Sequence, residues 1–407
     1  MNRWLFYWRR LTRQLWVRAT AYAGLGVGAA LIAAWGAPLV PAEMAERLGN
    51  ESVEEILTIL ASSLLAVATF SVGAMVTAYT SVSGSATPRV AALVTADERT
   101  QKALSTFVGA FLYAIVSVTA INARYYGAGG RAILFLVSLG VVGLVAFRLL
   151  AWINTLSRLA RVGHMIERVE TEARSALRQR AARPFLGGTE GRLDTGALVP
   201  SRQTGYVQNV DPDRLQALAT GAGCRVEVLA MPGTLVRRGE PLARVSVDRL
   251  DDAGCRDWQG AFAVGESRSF DQDPRYGLIV LGEIAARALS PGINDPGTAI
   301  QVVATGLRLL DEWEQARTDP DPVSCDRILA SALDPADLVE DVLGTAARYG
   351  AGDVAVSVRL RKVLASLAAE PGPFREPARR MARDQLERVR NGPSTRADRA
   401  RIEAIRV

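Results

Sequence analysis

The sequence predicts an α-helical membrane protein with four transmembrane helices and a C-terminal α+β cytoplasmic domain containing a small β-barrel-like segment. Three observations carry that reading. Residues 20–153 hold four apolar stretches of bilayer-crossing length. The charged residues, 22% of the chain, fall almost wholly outside them. Lys and Arg are also unevenly shared among the segments between the stretches.

A spanning helix needs about 20 predominantly apolar residues. The first stretch, Ala19 to Val40, and the second, Ile56 to Thr80, contain no charge. The third runs from Ala103 to Ile121, and the fourth, Ala132 to Ile153, carries only Arg148. A core helix of a globular protein is shorter and keeps a polar face. Before the first stretch stand Arg3, Arg9, Arg10, Arg13 and Arg18. The next loop holds Glu43, Glu46, Glu51, Glu54 and Glu55 against Arg47 alone. Arg89, Arg99 and Lys102 follow the second stretch, and Arg158, Arg161, Arg168, Arg174, Arg178, Arg180 and Arg183 follow the fourth. By the positive-inside rule both termini are cytoplasmic, in a cytoplasmic (inner) membrane crossed several times.

This predicts a basic amphipathic segment at 1–18, the four-helix transmembrane domain at 19–153, and a helical extension of the fourth span at 154–185. A β-rich, barrel-sandwich-like subdomain at 186–250 and a mainly helical cytoplasmic subdomain at 251–407 complete it. Within 1–18, Trp4, Phe6, Trp8 and Trp16 alternate with Arg, as in a helix lying in the headgroup layer. A plain extension of the first span explains the pattern equally well.

The second stretch places Thr58, Ser62, Ala66, Thr69, Gly73, Thr77 and Thr80 on one helical face. Small and hydroxylated residues permit close helix packing. A ring of such faces would also line a polar conduit, so Thr58, Ser62, Thr69, Gly73, Thr77 and Thr80 are pore-lining candidates. Thr106, Gly109, Tyr113 and Ser117 repeat the theme in the third stretch, which predicts mutual packing of the two helices. Arg148 is read as a snorkelling side chain or an anion contact.

In the polar half, Gly205–Val210 and Arg225–Leu229 alternate as strands do, and Asp211-Pro212 starts a short helix. Gly233 and Gly239 punctuate short apolar pairs, as in the small barrels of lipoyl and biotinyl domains. Those domains modify a Lys, and the only two here are Lys102 and Lys362. The shape is implied and the carrier chemistry is not. Asp271 and Asp273 then precede a helix, Leu278 to Leu289. Ser290, Asn294 and Asp295 form a corner before the next helix, which runs to Trp313. Asp295 with Pro296 suits a capped helix start. The cluster also suits an ion or a small ligand at the cytoplasmic domain.

His164 is the single His, and Cys224, Cys255 and Cys325 lack metal-ligand spacing. No catalytic residue, metal or cofactor is assigned. The net charge of +6 is spread beside a membrane, so nucleic acid is not implied.

These residues resemble the bacterial predicted membrane proteins of the domain of unknown function 2254. The resemblance covers nearly the whole chain. It rests on Ser85-Ala86-Thr87-Pro88-Arg89, on Thr106–Tyr113, on Gln272-Asp273-Pro274 and on Arg287–Pro296. Arg89 is taken as a loop anchor. Thr87 stands where that family suggests Ser, and the helix after the fourth stretch lacks a His-rich run. The resemblance implies topology and location rather than an activity. Three functions follow as expectations: an oligomeric ion channel or pore-like transporter with a regulatory cytoplasmic domain; a membrane-anchored scaffold or signalling subunit; and a membrane-anchored enzyme using carboxylates around Asp273 and Asp295.

Overall fold

The computed structural model describes residues 15–35, 41, 52–85, 87–95, 98–159 and 161–407. Most of the basic segment at 1–18, and most of the acidic loop after the first apolar stretch, lie outside those residues. The chain forms two compact units.

The membrane unit comprises Trp8–Gly84 and Ala91–His164. Its helices are α1 (Leu15–Trp35), α2 (Ser52–Ser85), α3 (Pro88–Thr95), α4 (Glu98–Asn122) and α5 (Ala128–Leu159), with α2 and α3 extending past its edge. Three candidate spans are long and apolar enough to cross a bilayer: Val53–Thr80, Thr100–Asn122 and Ala128–Thr155. The predicted count was four. Within α1 the apolar run is only Ala19–Ala33, about 22 Å of helix against a hydrocarbon core of about 30 Å. Residues 36–40, which completed the predicted first span, lie outside the described residues.

At the centre of this unit is α4. More than half (56%) of its apolar stretch is buried, against 17% for α2 and 11% for α5. Gly26 and Gly109 let the backbones of α1 and α4 touch. A Cβ on Gly26 would lie 2.6 Å from the Gly109 carbonyl oxygen, and one on Gly109 would lie 2.9 Å from that of Tyr22. Such small-residue contacts replace the missing hydrophobic drive between helices in lipid. The Tyr113 hydroxyl donates to the Leu134 carbonyl at 3.2 Å and shares a hydrogen bond with Ser138 at 3.0 Å. The Tyr126 hydroxyl donates to the Ala30 carbonyl at 2.6 Å. Gly109 and Tyr113 therefore serve contacts with α1 and α5, where the sequence predicted packing against the second stretch.

The second unit contains Ser85–Val90 and Met165–Val407. Its first helix, α6 (Val162–Ala182), begins after α5 has ended at Leu159, and it carries His164. Strands β1 (Thr189–Glu190), β2 (Ala197–Pro200), β3 (Gly205–Val210), β4 (Val226–Val228), β5 (Leu235–Val236), β6 (Pro241–Val245), β7 (Phe262–Gly265) and β8 (Ile328–Ala330) form two sheets. The larger has the order β1-β8-β4-β6-β2, and the smaller β5-β3-β7. Two short helices, α7 (Pro212–Gly221) and α8 (Asp252–Gln259), accompany them. Asp211 caps α7 and Pro212 fills its first position, as the sequence indicated.

The predicted barrel does not close. Gly239, at φ +90°, permits the turn between β5 and β6. That turn sends β5 to the three-stranded sheet and β6 to the five-stranded one, so the pair forms no hairpin. β8 pairs in parallel with both β1 and β4, and the five-stranded sheet stays open, ending on β1 and β2. The inner faces meet around Val207, Leu215, Val226, Ala243, Ile328 and Ala330, all fully buried.

A helical layer follows: α9 (Tyr276–Ala288), α10 (Pro296–Ala316), α11 (Pro335–Tyr349), α12 (Val354–Ala369), α13 (Arg375–Asn391) and α14 (Arg396–Glu403). Between α6 and α10 runs an ion-pair lattice. Glu170 accepts from Arg174 at 2.8 Å and from Arg308 at 2.9 Å, while Arg174 also donates to Glu312 at 2.8 Å. Gly277 lets α9 approach α6, because a Cβ there would lie 2.4 Å from that of Ala173.

Two predictions follow from this packing. Gly277→Ala overpacks the α6–α9 contact and lowers stability by about 1–3 kcal/mol, measurable by denaturant unfolding in detergent. The second concerns pH. Burial opposes ionisation of Glu170, but hydrogen bonds and charges from Arg308 and Arg174 outweigh it and hold the carboxyl below its ordinary range. A lowered folded-state value means stabilisation above the unfolded-state value, lost as pH falls through the folded one. Glu170→Gln is expected to reduce the thermal midpoint at about pH 7 and to reduce it by less at about pH 3. An equal deficit at both would show that the charge is immaterial.

Candidate functional site

Each pore-lining candidate lies on α2, and each is exposed on the single chain. Their hydroxyls turn back onto their own helix. Thr58 donates to the Glu54 carbonyl at 2.8 Å, Ser62 to Ile59 at 3.0 Å and Thr69 to Leu65 at 2.9 Å. Thr77 donates to Gly73 at 3.0 Å and Thr80 to Thr77 at 2.9 Å. At Gly73 a Cβ would meet nothing within 4 Å. The buried residues of α2 are instead Val53, Leu57, Leu64, Ser71 and Ala78. The stripe and the buried residues thus occupy different faces.

In the second unit, the residues before α9 form a saturated polar knot. Asp273 is 1% exposed, and its carboxylate takes both arms of Arg268, at 2.7 and 3.0 Å. The same carboxylate accepts from the backbone N–H of Arg275 at 3.1 Å and of Tyr276 at 3.2 Å, which caps the first turn of α9. A glycine is required opposite. Gly233 has φ +95°, and a Cβ there would lie 2.4 Å from an Asp273 oxygen. Gln272 bonds the backbone of Val210 in both directions, at 2.8 and 3.0 Å, and so ties the knot to β3. Asp271 accepts a short hydrogen bond from the Ser269 hydroxyl. Arg275 forks onto Asp341 at 2.6 and 3.0 Å and also pairs with Asp337, joining α9 to α11. Arg89 pairs with Glu283 of α9 at 2.7 Å, so the loop anchor has a partner in the unit to which Ser85–Val90 belongs.

The corner lies beyond the other end of α9. Its Ser290 hydroxyl donates to the Arg287 carbonyl at 2.7 Å. Asn294, at φ +49°, donates its N–H to the Ser290 carbonyl at 2.9 Å. Asp295 caps α10 through the Thr298 N–H at 3.1 Å and hydroxyl at 2.6 Å. Those bonds hold the Asp295 carboxyl below the usual range. The corner residues 291–295 are exposed, whereas Asp273 is buried.

The two carboxylate groups named for enzyme chemistry therefore flank a helix of 13 residues, about 20 Å long at 1.5 Å per residue. Asp273 is saturated and Asp295 is committed to a cap. Among the described residues no three His, Cys, Asp or Glu side chains stand close enough to hold a metal ion. Sequence reasoning missed Arg268, Arg275, Asp337 and Asp341. A usable signal existed for the last two, since acids four apart share a helix face.

Comparison with known proteins decides the family. A model of predicted membrane proteins, DUF2254, matches residues 12–366. The chain belongs to that family. Relatives within reach are bacterial. The uncharacterized protein Rv1290c of Mycobacterium tuberculosis is 34% identical over 129 residues, 30% of this chain and 25% of its own. The uncharacterized protein Mb1321c of Mycobacterium bovis matches to the same extent. The uncharacterized protein MT1328 of another Mycobacterium tuberculosis strain is 47% identical over 64 residues, 16% of this chain and 12% of its own. The chain thus spans a quarter or less of the length of the curated relatives it matches. No solved structure matches.

Asp273→Ala in this DUF2254 chain uncaps α9 and strands the Arg268 guanidinium. The expected loss is about 3–5 kcal/mol, read as a fall in the denaturant midpoint. Asp295→Ala removes only an exposed cap and is expected to cost about 1 kcal/mol.

Proposed function

We propose that this protein is a subunit of an oligomeric, pore-like conduit in the cytoplasmic membrane, with the second unit as its regulatory domain. Four spans with both termini cytoplasmic agree with the charge distribution. The observation that carries the proposal is the stripe of Thr58, Ser62, Thr69, Gly73, Thr77 and Thr80, which lies exposed on α2 of the single chain. Copies arranged about an axis through this stripe would bring small hydroxylated faces together. No span needs a buried Asp, Glu, Lys or His for this, so a passive path fits better than proton-coupled transport.

One observation favours a second reading, a membrane-anchored scaffold. Every stripe hydroxyl already bonds its own helix, so the face is compatible with lipid.

Ion flux into liposomes separates the two. The conduit predicts flux through the wild-type protein and a loss of most of it in Gly73→Trp. Gly73 is exposed and a Cβ there meets nothing within 4 Å of the single chain, so a block reports on the path between copies. Absence of flux across a panel of ions and pH values would transfer the weight to the scaffold.

A further inference from the structure

The second unit also carries an open cleft of about 460 Å³ that neither the stripe nor the polar knot uses. It lies where α7, α8, β7 and the segment after β2 meet. Its charged lining residues are Arg202, Arg214 and Arg256, and no carboxylate lines it. Nothing in the sequence linked these three, because they come from separate elements.

Several features arrange the guanidinium groups rather than neutralise them. Arg202 donates its Nε–H to the Gln259 side-chain oxygen at 2.6 Å, and the Gln259 amide donates to the Pro200 carbonyl at 2.7 Å. An amide thus steers Arg202 without cancelling its charge. Arg214 approaches Asp257 only at 3.9 Å, with the side chains 42% and 65% exposed, so that pairing is weak. Gly260 follows α8 with φ −60° and ψ −16°, a conformation open to any residue. The Arg214 guanidinium sits close to this backbone: a Cβ there would lie 2.6 Å from its terminal nitrogen and 2.8 Å from its central carbon. Buried Phe262 and Leu242 add an apolar floor.

Cations of one sign sharing a cleft repel each other until an anion enters. Guanidinium forks match phosphoryl oxygens in spacing and plane. The volume falls in the range of small-molecule sites. We infer that this cleft binds a phosphoryl-bearing anion, with Arg202, Arg214 and Arg256 holding the phosphoryl oxygens and the Phe262 side taking the body of the ligand. The same chemistry is presented by a soluble phosphorylated molecule and by a phospholipid headgroup.

The test uses the whole 407-residue chain in detergent. Pyrophosphate and ATP are titrated calorimetrically, and in parallel short-chain phosphatidylglycerol or phosphatidylcholine is titrated into the same detergent solution. Arg202→Gln with Arg256→Gln is compared with Arg383→Gln with Arg388→Gln, which removes equal charge from exposed positions on α13. Binding in either arm is expected to weaken roughly tenfold or more in the cleft variant and to stay within about twofold in the control. The arm that responds names the source. Arg256→Gln alone, at an exposed position, repeats the comparison should the double variant fold poorly. No binding in either arm at millimolar ligand, or equal weakening by the control, overturns the site. No flux is measured, so the result is independent of the conduit.

Discussion

The buried Asp273 carboxylate is the interaction on which the second unit depends. It is an ion-pair partner, a helix cap and a filler of the space that Gly233 leaves, all at once. A carboxylate with a single such role would be a poor investment in a dry interior, because removing a charge from water costs several kcal/mol. Four donors make it tolerable. Its neighbours extend the constraint outward. Gln272 fastens the turn to β3, and Arg275 fastens α9 to α11. Sheet and helical layer are thereby joined through one turn of chain.

The membrane unit follows a different logic. Its centre is assembled from glycine contacts and two tyrosine hydroxyls. The outward helices, α2 and α5, expose large apolar side chains such as Phe70, Val76, Leu139 and Phe147. On a water-soluble surface such exposure would be an interaction or aggregation site. Against lipid it is the ordinary state. The same exposure makes the small hydroxylated face of α2 distinctive, since most of its neighbours on the surface are bulky.

Much of this architecture was legible because it is local. Apolar run length marked three spans, and Asp295-Pro296 and Asp211-Pro212 marked helix starts through capping chemistry that acts within four residues. The alternation in Gly205–Val210 gave β3. What was missed is long-range. Pairing of β8 with β1 joins residues 189 and 329, and no local pattern announces it. A strand of three residues is also too short to carry a period. The barrel reading failed there, because the glycine turns were read correctly and their destination was not. The site residues divide in the same way. Asp273 and Asp295 stood out by turn chemistry, whereas Arg275 with Asp341, and the three arginines of the cleft, converge only in the fold.

The meeting of Gly26 and Gly109 has an entropic side. Burying a side chain freezes its rotamers, at a cost that reaches about 2 kcal/mol for the longest ones. Glycine has none to freeze, so α1 and α4 come into contact with no such loss at these two positions. The arrangement also fixes register. Sliding α1 by one residue would present Leu25 or Val27 to the α4 backbone, where even a single added carbon has no room. The two helices are keyed to one another by what they lack.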